Sequence, residues 1–123
     1  MVEKDKRTTM WLFDPLLIYK EFIFCFDCDL KKAAVLSELT DFFRESKETW
    51  PEDIVDDQWF SFSHENMAKS MEFPLDIFER TIRSLEKDGI LRSRAINGSR
   101  FLSINNNKIS EILRLKLQAK MED

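Results

Sequence analysis

Glycine and proline are scarce in this chain, which has 2 Gly and 3 Pro among its 123 residues. Their scarcity argues against a glycine-rich phosphate loop and a turn-dense β-barrel, and it therefore favours helices. No apolar run reaches the about 18 residues that a membrane-spanning helix needs, because Lys20 and Glu21 interrupt the best candidate, 16–26. The first ten residues lack the apolar segment of an export signal. With 2 Cys, the sequence predicts a reduced, cytoplasmic setting and no contact with a membrane.

The remaining composition is that of one globular domain. Hydrophobic residues make up 43% of the chain, and 11 Phe and 3 Trp supply the bulky side chains for a core. A chain of this length is too short for two comfortable cores. The single domain 1–123 is predicted to consist of an N-terminal extension at 1–29, a core at 30–105 with an acidic insertion at 45–58, and a C-terminal helix at 106–123.

Charge is distributed unevenly along the chain, although its net value is only −4. Residues 1–79 contain 9 basic and 18 acidic side chains, whereas residues 80–123 contain 10 basic and 5 acidic ones, a net charge of +5. Such asymmetry indicates a face that meets an anion, or else two segments that neutralise each other.

The N-terminal half contains one ambiguous segment and one clear helix. Asp14 and Pro15 are predicted to begin a helix as N-cap and first helical residue. The stretch 16–26 that follows is compatible with either a helix or a strand. From residue 30 to about 48, apolar residues recur at three- and four-residue steps, which predicts a helix capped by Asp29.

The C-terminal half alternates helices and strands. The predicted elements are a short strand at 59–62, a helix at 64–71 capped by Ser63, a helix at 74–88, a strand at 90–96, a return strand at 100–104 and a helix at 105–120. Gly89 stands where a glycine ends a helix, and Asn97-Gly98 is a strong signal for a two-residue hairpin turn. The sequence thus predicts an α+β domain, mainly α-helical with a small antiparallel β-hairpin.

The stretch 63–91 carries a family resemblance. Its first short helix contains the apolar pair Met67-Ala68, its second helix ends in the run LEKDGIL at 85–91, and a hairpin follows. In this order of elements the chain resembles the winged helix-turn-helix family over about residues 30–105, with flanking helices on both sides. It is most similar in character to the N-terminal domains of phage and plasmid replication-initiation or replisome-organising proteins.

The resemblance implies sequence-specific, non-enzymatic binding of double-stranded DNA, in transcription regulation or in replication control of a mobile element or its host. The helix 74–88 would bury an apolar face formed by Leu75, Phe78, Ile82 and Leu85 and turn its polar face to the major groove. The hairpin would contact the flanking backbone or the minor groove. The DNA-binding residues implied are Arg80, Arg83, Lys87, Arg92, Arg94, Asn97 and Arg100. No metal ion or other cofactor is implied.

The same helix leaves a second function open. Asp76 and Glu79 repel phosphate, and Pro74 offers no amide hydrogen at the helix start. Each acid also stands four residues before an arginine, a spacing typical of ion pairs on an ordinary solvated helix. The alternative is a protein–protein interaction module without DNA binding, whose partner would contact the acidic insertion and an exposed Trp50.

Three further residues were weighed as chemical sites. Cys25 and Cys28 form a C-x-x-C, but no βαβ pattern surrounds them, as a redox motif would require. A zinc site would need carboxylates or a second copy to complete its ligands, since His64 is the only histidine. We interpret the cysteines as small buried hydrophobic residues and His64 as a solvated surface residue. The sequence contains no constellation typical of an enzyme.

The last helix has an apolar stripe that extends beyond the needs of one small core. It could pack on 16–26, pair with a second copy, or link to a further domain. We predict a homodimer, because two copies of a winged domain double the readable half-sites.

Overall fold

The computed structural model describes residues 18–122. Its elements are α1 (Lys20–Cys25), α2 (Leu30–Thr49), a 3₁₀ helix (Pro51–Asp53), α3 (His64–Ser70), α4 (Leu75–Lys87), β1 (Leu91–Ile96), β2 (Ser99–Ile104) and α5 (Asn106–Glu122). The strands pair antiparallel. The prediction of a mainly helical α+β fold with a small antiparallel sheet is confirmed.

The ambiguous stretch at 16–26 is helical from Lys20 to Cys25, whereas the predicted helix start at Asp14 and Pro15 lies outside the described residues. The backbone N–H of Tyr19 donates to the Ser37 hydroxyl at 3.0 Å, which fixes the start of α1 against α2. After α1, the residues at 27–28 adopt positive φ angles of 53° and 68°. This turn lets α2 begin almost at once.

Helix α2 is capped as predicted, because the carboxylate of Asp29 accepts a hydrogen bond from the N–H of Lys32 at 3.2 Å. It continues through Thr49 and ends just before Pro51, since the residue that precedes a proline disfavours helical geometry. The predicted helix from residue 30 to about 48 is therefore confirmed, and it includes the first residues of the acidic stretch 45–58 that was interpreted as a surface insertion. An acidic composition marks a solvated face, and a helix can present such a face as readily as a loop can.

The rest of the acidic insertion is a compact turn. After the 3₁₀ helix, Val55 and Trp59 form an antiparallel bridge around two aspartates, Asp56 and Asp57, with φ angles of 50° and 62°. Left-handed backbone at two adjacent residues reverses the chain tightly. The turn brings the end of the insertion to the edge of the hairpin.

The strand predicted at 59–62 is reduced to two isolated bridges, that of Trp59 with Val55 and that of Phe60 with Leu102. Phe60 and Leu102 form two hydrogen bonds. The N–H of each donates to the carbonyl of the other, at 2.9 and 2.8 Å. Phe60 is buried against the rings of Phe42 and Phe43. Burial of a single ring thus holds this segment against β2 without a longer run of strand pairing.

Short turns join α3 to α4 and end α4. Ser63 caps α3 as predicted and accepts a hydrogen bond from the N–H of Asn66 at 3.2 Å. Pro74 is the N-cap residue of α4 rather than its first helical residue. At the other end Gly89 has a φ of +80°, and the N–H of Ile90 donates to the carbonyl of Leu85 at 3.0 Å. This Schellman arrangement confirms the predicted C-terminal glycine.

The core lies between α2, α3, α4, the base of the hairpin and the first turns of α5. Its largest buried side chains are Leu36, Leu39, Phe60, Phe78, Ile82, Leu85, Ile90, Leu91 and Leu102. Within residues 18–122, no helix is both long enough and apolar enough to cross a membrane.

Helix α5 begins at the Asn105 side chain, which accepts from the N–H of Lys108 at 3.2 Å. Its first turns pack on the core through Ile109, and its later turns pack on α1 through an ion pair between Lys116 and Asp27. Its final turns leave apolar side chains in solvent, the extreme being Met121 at 86% exposure.

Candidate nucleic-acid interface

Helix α4 has a buried side and an outward side. Successive helical residues are turned by about 100°, so Phe78, Ile82 and Leu85 share the side that is buried in the core. Arg80, Arg83 and Lys87 point the opposite way and are all exposed. The predicted division of this helix is confirmed, and we call its exposed side the α4 face.

Asp76 and Glu79 were expected to form ion pairs with the arginines of this face. Asp76 pairs with Arg80 at 3.7 Å, and both side chains are about 70% exposed, so the pair is weak. The expected pair between Glu79 and Arg83 is not formed. In the described part of the chain, neither Arg83 nor Lys87 takes part in any ion pair. These two cations are available to an anion from outside.

Leu75 does not belong to the buried side. It is 40% exposed at the first position of α4, so its assignment to the core stripe is wrong. A helix end protrudes past the elements that cover its middle, and a residue there is exposed even when its angular position is right. The exposed Leu75 stands beside Asp76 at the end of α4 that would enter a groove first.

Lys31 and Lys32 extend the basic surface and were not among the residues expected to bind DNA. Together with Asp29, Arg80, Thr81 and Ser84 they line a groove of about 190 Å³ between the start of α2 and α4. Lys32 is paired with Asp88 at 2.8 Å, whereas Lys31 is exposed. The adjacent lysines were visible in the sequence, but only the packing of α2 on α4 brings them beside Arg80.

Arg92 and Arg94 lie on one face of β1, since residues two apart in a strand point the same way. Both guanidinium groups stack over the Trp59 ring, at 5.9 and 5.8 Å from its centroid. Arg92 also donates to the amide oxygen of Gln58 at 2.9 Å and to the hydroxyl of Ser103 at 3.2 Å. The two arginines are therefore oriented by the turn that ends the acidic insertion.

Arg100 lies on the other face of the hairpin and is paired with Glu86 of α4. The hydroxyl of Ser93, on the neighbouring strand, donates to the same carboxylate at 3.3 Å. Glu86 thereby links the hairpin to α4. Its carboxylate already pairs with Arg100, which was expected to contact DNA.

Asn97 is exposed at the hairpin tip. It has a φ of 51° and Gly98 one of 79°, as the type I′ turn expected from Asn-Gly requires. The tip carries no large side chain, so it leaves room for the close approach of another molecule.

His64 is not a solvated surface residue, contrary to expectation. Its ring stacks on Phe62, with centroids 4.8 Å apart and planes at 8°, and meets Phe78 edge-on at 5.7 Å. Burial lowers the pKa of His64, nearby Arg100 lowers it further, and Glu79 and Glu86 oppose the change. This residue at the start of a short helix is half-buried because the nearby Phe62 stacks on its ring and Phe78 of α4 packs against its edge.

The two cysteines occupy different environments. Cys25 is buried as predicted, and burial raises the pKa of its thiol. Cys28 is exposed, so its interpretation as a buried residue is wrong, because the left-handed turn at 27–28 carries it outside the core. Between residues 18 and 122, no group of three or more His, Cys, Asp or Glu side chains is placed to hold a metal ion.

Comparisons of this chain with protein-family models, curated proteins and solved structures found no match. We therefore infer function from the α4 face, the hairpin and their surroundings.

Proposed function

We propose that this chain binds double-stranded DNA without catalysis, as a winged helix-turn-helix protein that places α4 in the major groove. The observation that carries the proposal is the α4 face, where Arg80, Arg83 and Lys87 share the exposed side of a helix whose other side is anchored in the core. An α-helix with its side chains is about 10–12 Å wide, which matches the major groove of about 12 Å.

The hairpin would then contact the DNA backbone beside the groove. Arg92 and Arg94 are held along Trp59, so less side-chain freedom is lost when they meet phosphate. Asn97 at the tip offers an amide to the backbone or the minor groove. Lys31, at the start of α2, would add a phosphate contact on the opposite side of α4.

The acidic segments do not contradict this arrangement. The carboxylates between residues 45 and 57 stand on the end of α2, the 3₁₀ helix and the Asp56–Asp57 turn rather than on α4. Among them only Asp56 pairs with a proposed contact residue, Arg94, at 3.9 Å. Phosphate contacts depend on the charges within about a Debye length, which is about 8 Å at physiological salt. The local charge of the α4 face, rather than the net charge of −4, decides binding in this proposal.

Fluorescence anisotropy of a labelled random duplex, titrated at several salt concentrations, tests the proposal. We expect the logarithm of the affinity to fall linearly with the logarithm of the salt concentration, by about 0.9 for each phosphate neutralised. Replacing Arg80→Ala together with Arg83→Ala should reduce the slope by roughly 2 and leave the melting temperature unchanged.

The matched control removes two cations from α5, Arg114→Ala with Lys120→Ala, and should retain the wild-type slope. Equal losses in both double variants would mean that only net charge matters and would reject the placement of α4. Absence of binding at low salt would reject DNA binding altogether and favour the interaction module.

We propose a homodimer through the end of α5, where Leu117 and Met121 are exposed on one side of the helix. These residues continue the apolar stripe of α5 past the part that packs on the core. Sedimentation velocity should show a dimer at micromolar concentration, and Leu117→Glu should convert it to a monomer. A wild-type chain that sediments as a monomer throughout would reject this pairing.

A further inference from the structure

A groove of about 330 Å³ lies beside the hairpin, formed by the last turns of α2, the 3₁₀ helix and the neighbouring bridge segments. Its apolar lining consists of Phe42, Trp50, Ile54, Val55, Phe60 and Phe101. Trp50 is the most exposed of them, at 52%. A large aromatic side chain at the edge of an apolar groove is typical of the residues that dominate protein–protein binding. We call this feature the Trp50 groove.

Ser46 supplies a polar group inside the Trp50 groove. The residue is only 8% exposed, and its hydroxyl makes no hydrogen bond with any residue of the described part of the chain. The hydroxyls of Ser37 and Thr40, on the same helix, donate instead to the carbonyls of Ala33 and Leu36.

The Ser46 hydroxyl is not sealed inside the protein. No completely enclosed side-chain nitrogen or oxygen in residues 18–122 lacks a partner, so this hydroxyl keeps some exposure, and Ser46 lines the groove. A hydroxyl that is almost buried and unpartnered at an open cavity is a hydrogen-bonding position for a ligand.

The rim of the groove is negatively charged. Glu52 and Asp53 line it, and within the described residues neither forms an ion pair. The neighbouring carboxylates of Asp56 and Asp57 are already paired with cations. Asp57 pairs with Lys47 at 2.9 Å, and Asp56 lies 3.9 Å from Arg94. Two carboxylates beside an apolar groove favour a cationic occupant and repel phosphate.

We propose that the Trp50 groove binds a peptide segment of a partner protein that inserts a bulky apolar side chain and carries lysine or arginine beside it. The apolar side chain would pack against Trp50 and Phe42, its backbone would bond to the Ser46 hydroxyl, and its cations would pair with Glu52 and Asp53. The volume suits one or two side chains rather than a folded domain. This site shares no residue with the α4 face, so it goes beyond the proposed DNA binding and does not depend on it.

Titration of the ¹⁵N-labelled full chain with three synthetic peptides tests the site by NMR. The first peptide has a central Phe-Leu pair between runs of lysine, the second replaces that pair with serines, and the third replaces the lysines with glutamates. We expect saturable shifts only with the first, at the amides of Ser46 and Ile54 and at the Trp50 indole. Equal binding of the second peptide, or shifts confined to another surface, would overturn the proposal, as would no saturable binding of the first.

Variants separate this site from the DNA interface. Trp50→Ala should weaken the first peptide about tenfold or more, and Glu52→Gln with Asp53→Asn should remove most of the salt dependence of its binding. The control Glu45→Gln removes one carboxylate from α2 outside the groove lining and should change little. Arg83→Ala should leave peptide binding intact, and Trp50→Ala should leave DNA binding intact. Wild-type peptide affinity in both groove variants would overturn the assignment.

Discussion

The cations of α4 and those of the hairpin differ in how far the fold already engages them. On α4, Arg83 and Lys87 form no ion pair with any residue from 18 to 122. On the hairpin, Arg92 bonds to Gln58 and Ser103, and Arg100 is paired with Glu86. Exposure alone does not separate the two sets, because the side chains of Arg80 and Arg94 are 69% and 57% exposed.

The difference lies in the partners that neighbouring elements bring. Arg83 and Lys87 meet no carboxylate from another element of residues 18–122, whereas the hairpin lies between α4 and the turn at 56–59. The hairpin arginines therefore stabilise the fold, and under the proposed function Arg83 and Lys87 are left to an external anion. The four predictions below test this division.

The largest effect should be on stability, in the comparison of Arg92→Ala with Arg83→Ala. The first variant removes two hydrogen bonds and a contact with Trp59, so we expect the free energy of unfolding to fall by about 1–2 kcal/mol. The second removes a solvated side chain and should change it by less than about 0.5 kcal/mol. Urea denaturation followed by circular dichroism measures both, and equal losses would contradict the division.

The next effect concerns Arg100. Glu86→Gln removes the carboxylate that holds it, so Arg100 becomes available to phosphate. We expect duplex affinity at low salt to rise several-fold and the salt slope to steepen by about 0.9, as for one added phosphate contact. Glu111→Gln on α5 makes the same change of charge elsewhere; if it raises affinity equally, release of Arg100 is not the cause.

A smaller effect should appear as a pH dependence of stability. The pKa of folded His64 is lowered, mainly by burial and then by Arg100, so the unfolded chain takes up the proton first as the pH falls. The contribution of His64 is thus fully present above about pH 6.5, the ordinary value, and is lost as the pH falls through the folded pKa.

The variant His64→Phe keeps a ring against Phe62 and removes the titration. Urea midpoints measured across about pH 5 to 8 should therefore decline less steeply toward acid in the variant than in the wild type. Identical declines would show that carboxylates alone account for the pH dependence. A weaker decline in the variant would assign that part of the pH dependence to the His64 imidazole.

The smallest effect is expected for Asp76→Asn. The Asp76–Arg80 pair is long and solvated, so its loss should change the free energy of unfolding by less than about 0.5 kcal/mol. Duplex affinity should rise, but by less than with Glu86→Gln, because Arg80 is already accessible. A larger gain in duplex affinity than with Glu86→Gln would mean that the Asp76–Arg80 pair restrains its arginine more than the Glu86–Arg100 pair does. That result would contradict the difference between α4 and the hairpin.

Sequence patterns predicted the segments whose structure depends on near neighbours. Asp29, Ser63 and Gly89 stand at the helix ends where their local hydrogen bonds and backbone freedom are needed. The Asn97-Gly98 turn and the buried side of α4 follow from the same short-range rules. The outward direction of Arg80, Arg83 and Lys87 could be predicted for this reason, since a helix of known phase has only one side opposite its core.

The errors concern residues whose surroundings depend on how elements pack. His64 was expected in solvent, but its near neighbour Phe62 stacks on it and the more distant Phe78 packs against it edge-on. The acidic stretch at 45–58 was expected to be an insertion at the surface, yet it builds the end of α2, the Trp50 groove and the support for Arg92. The composition of a segment shows how polar it is, but not which element of the fold packs on it.

The sequence by itself determined helix α2, the order of elements from α3 to α5, the caps of α2 and α3 and the glycine that ends α4, and the separation of apolar from charged side chains in the middle of α4. These depend on interactions within about four residues, which a sequence displays directly. Tertiary structure alone decided which cations are engaged, because Arg92 and Gln58 are 34 residues apart, and Lys32 and Asp88 are 56 residues apart. Charge is a property of the residue, but its availability to a ligand is a property of the packing around it.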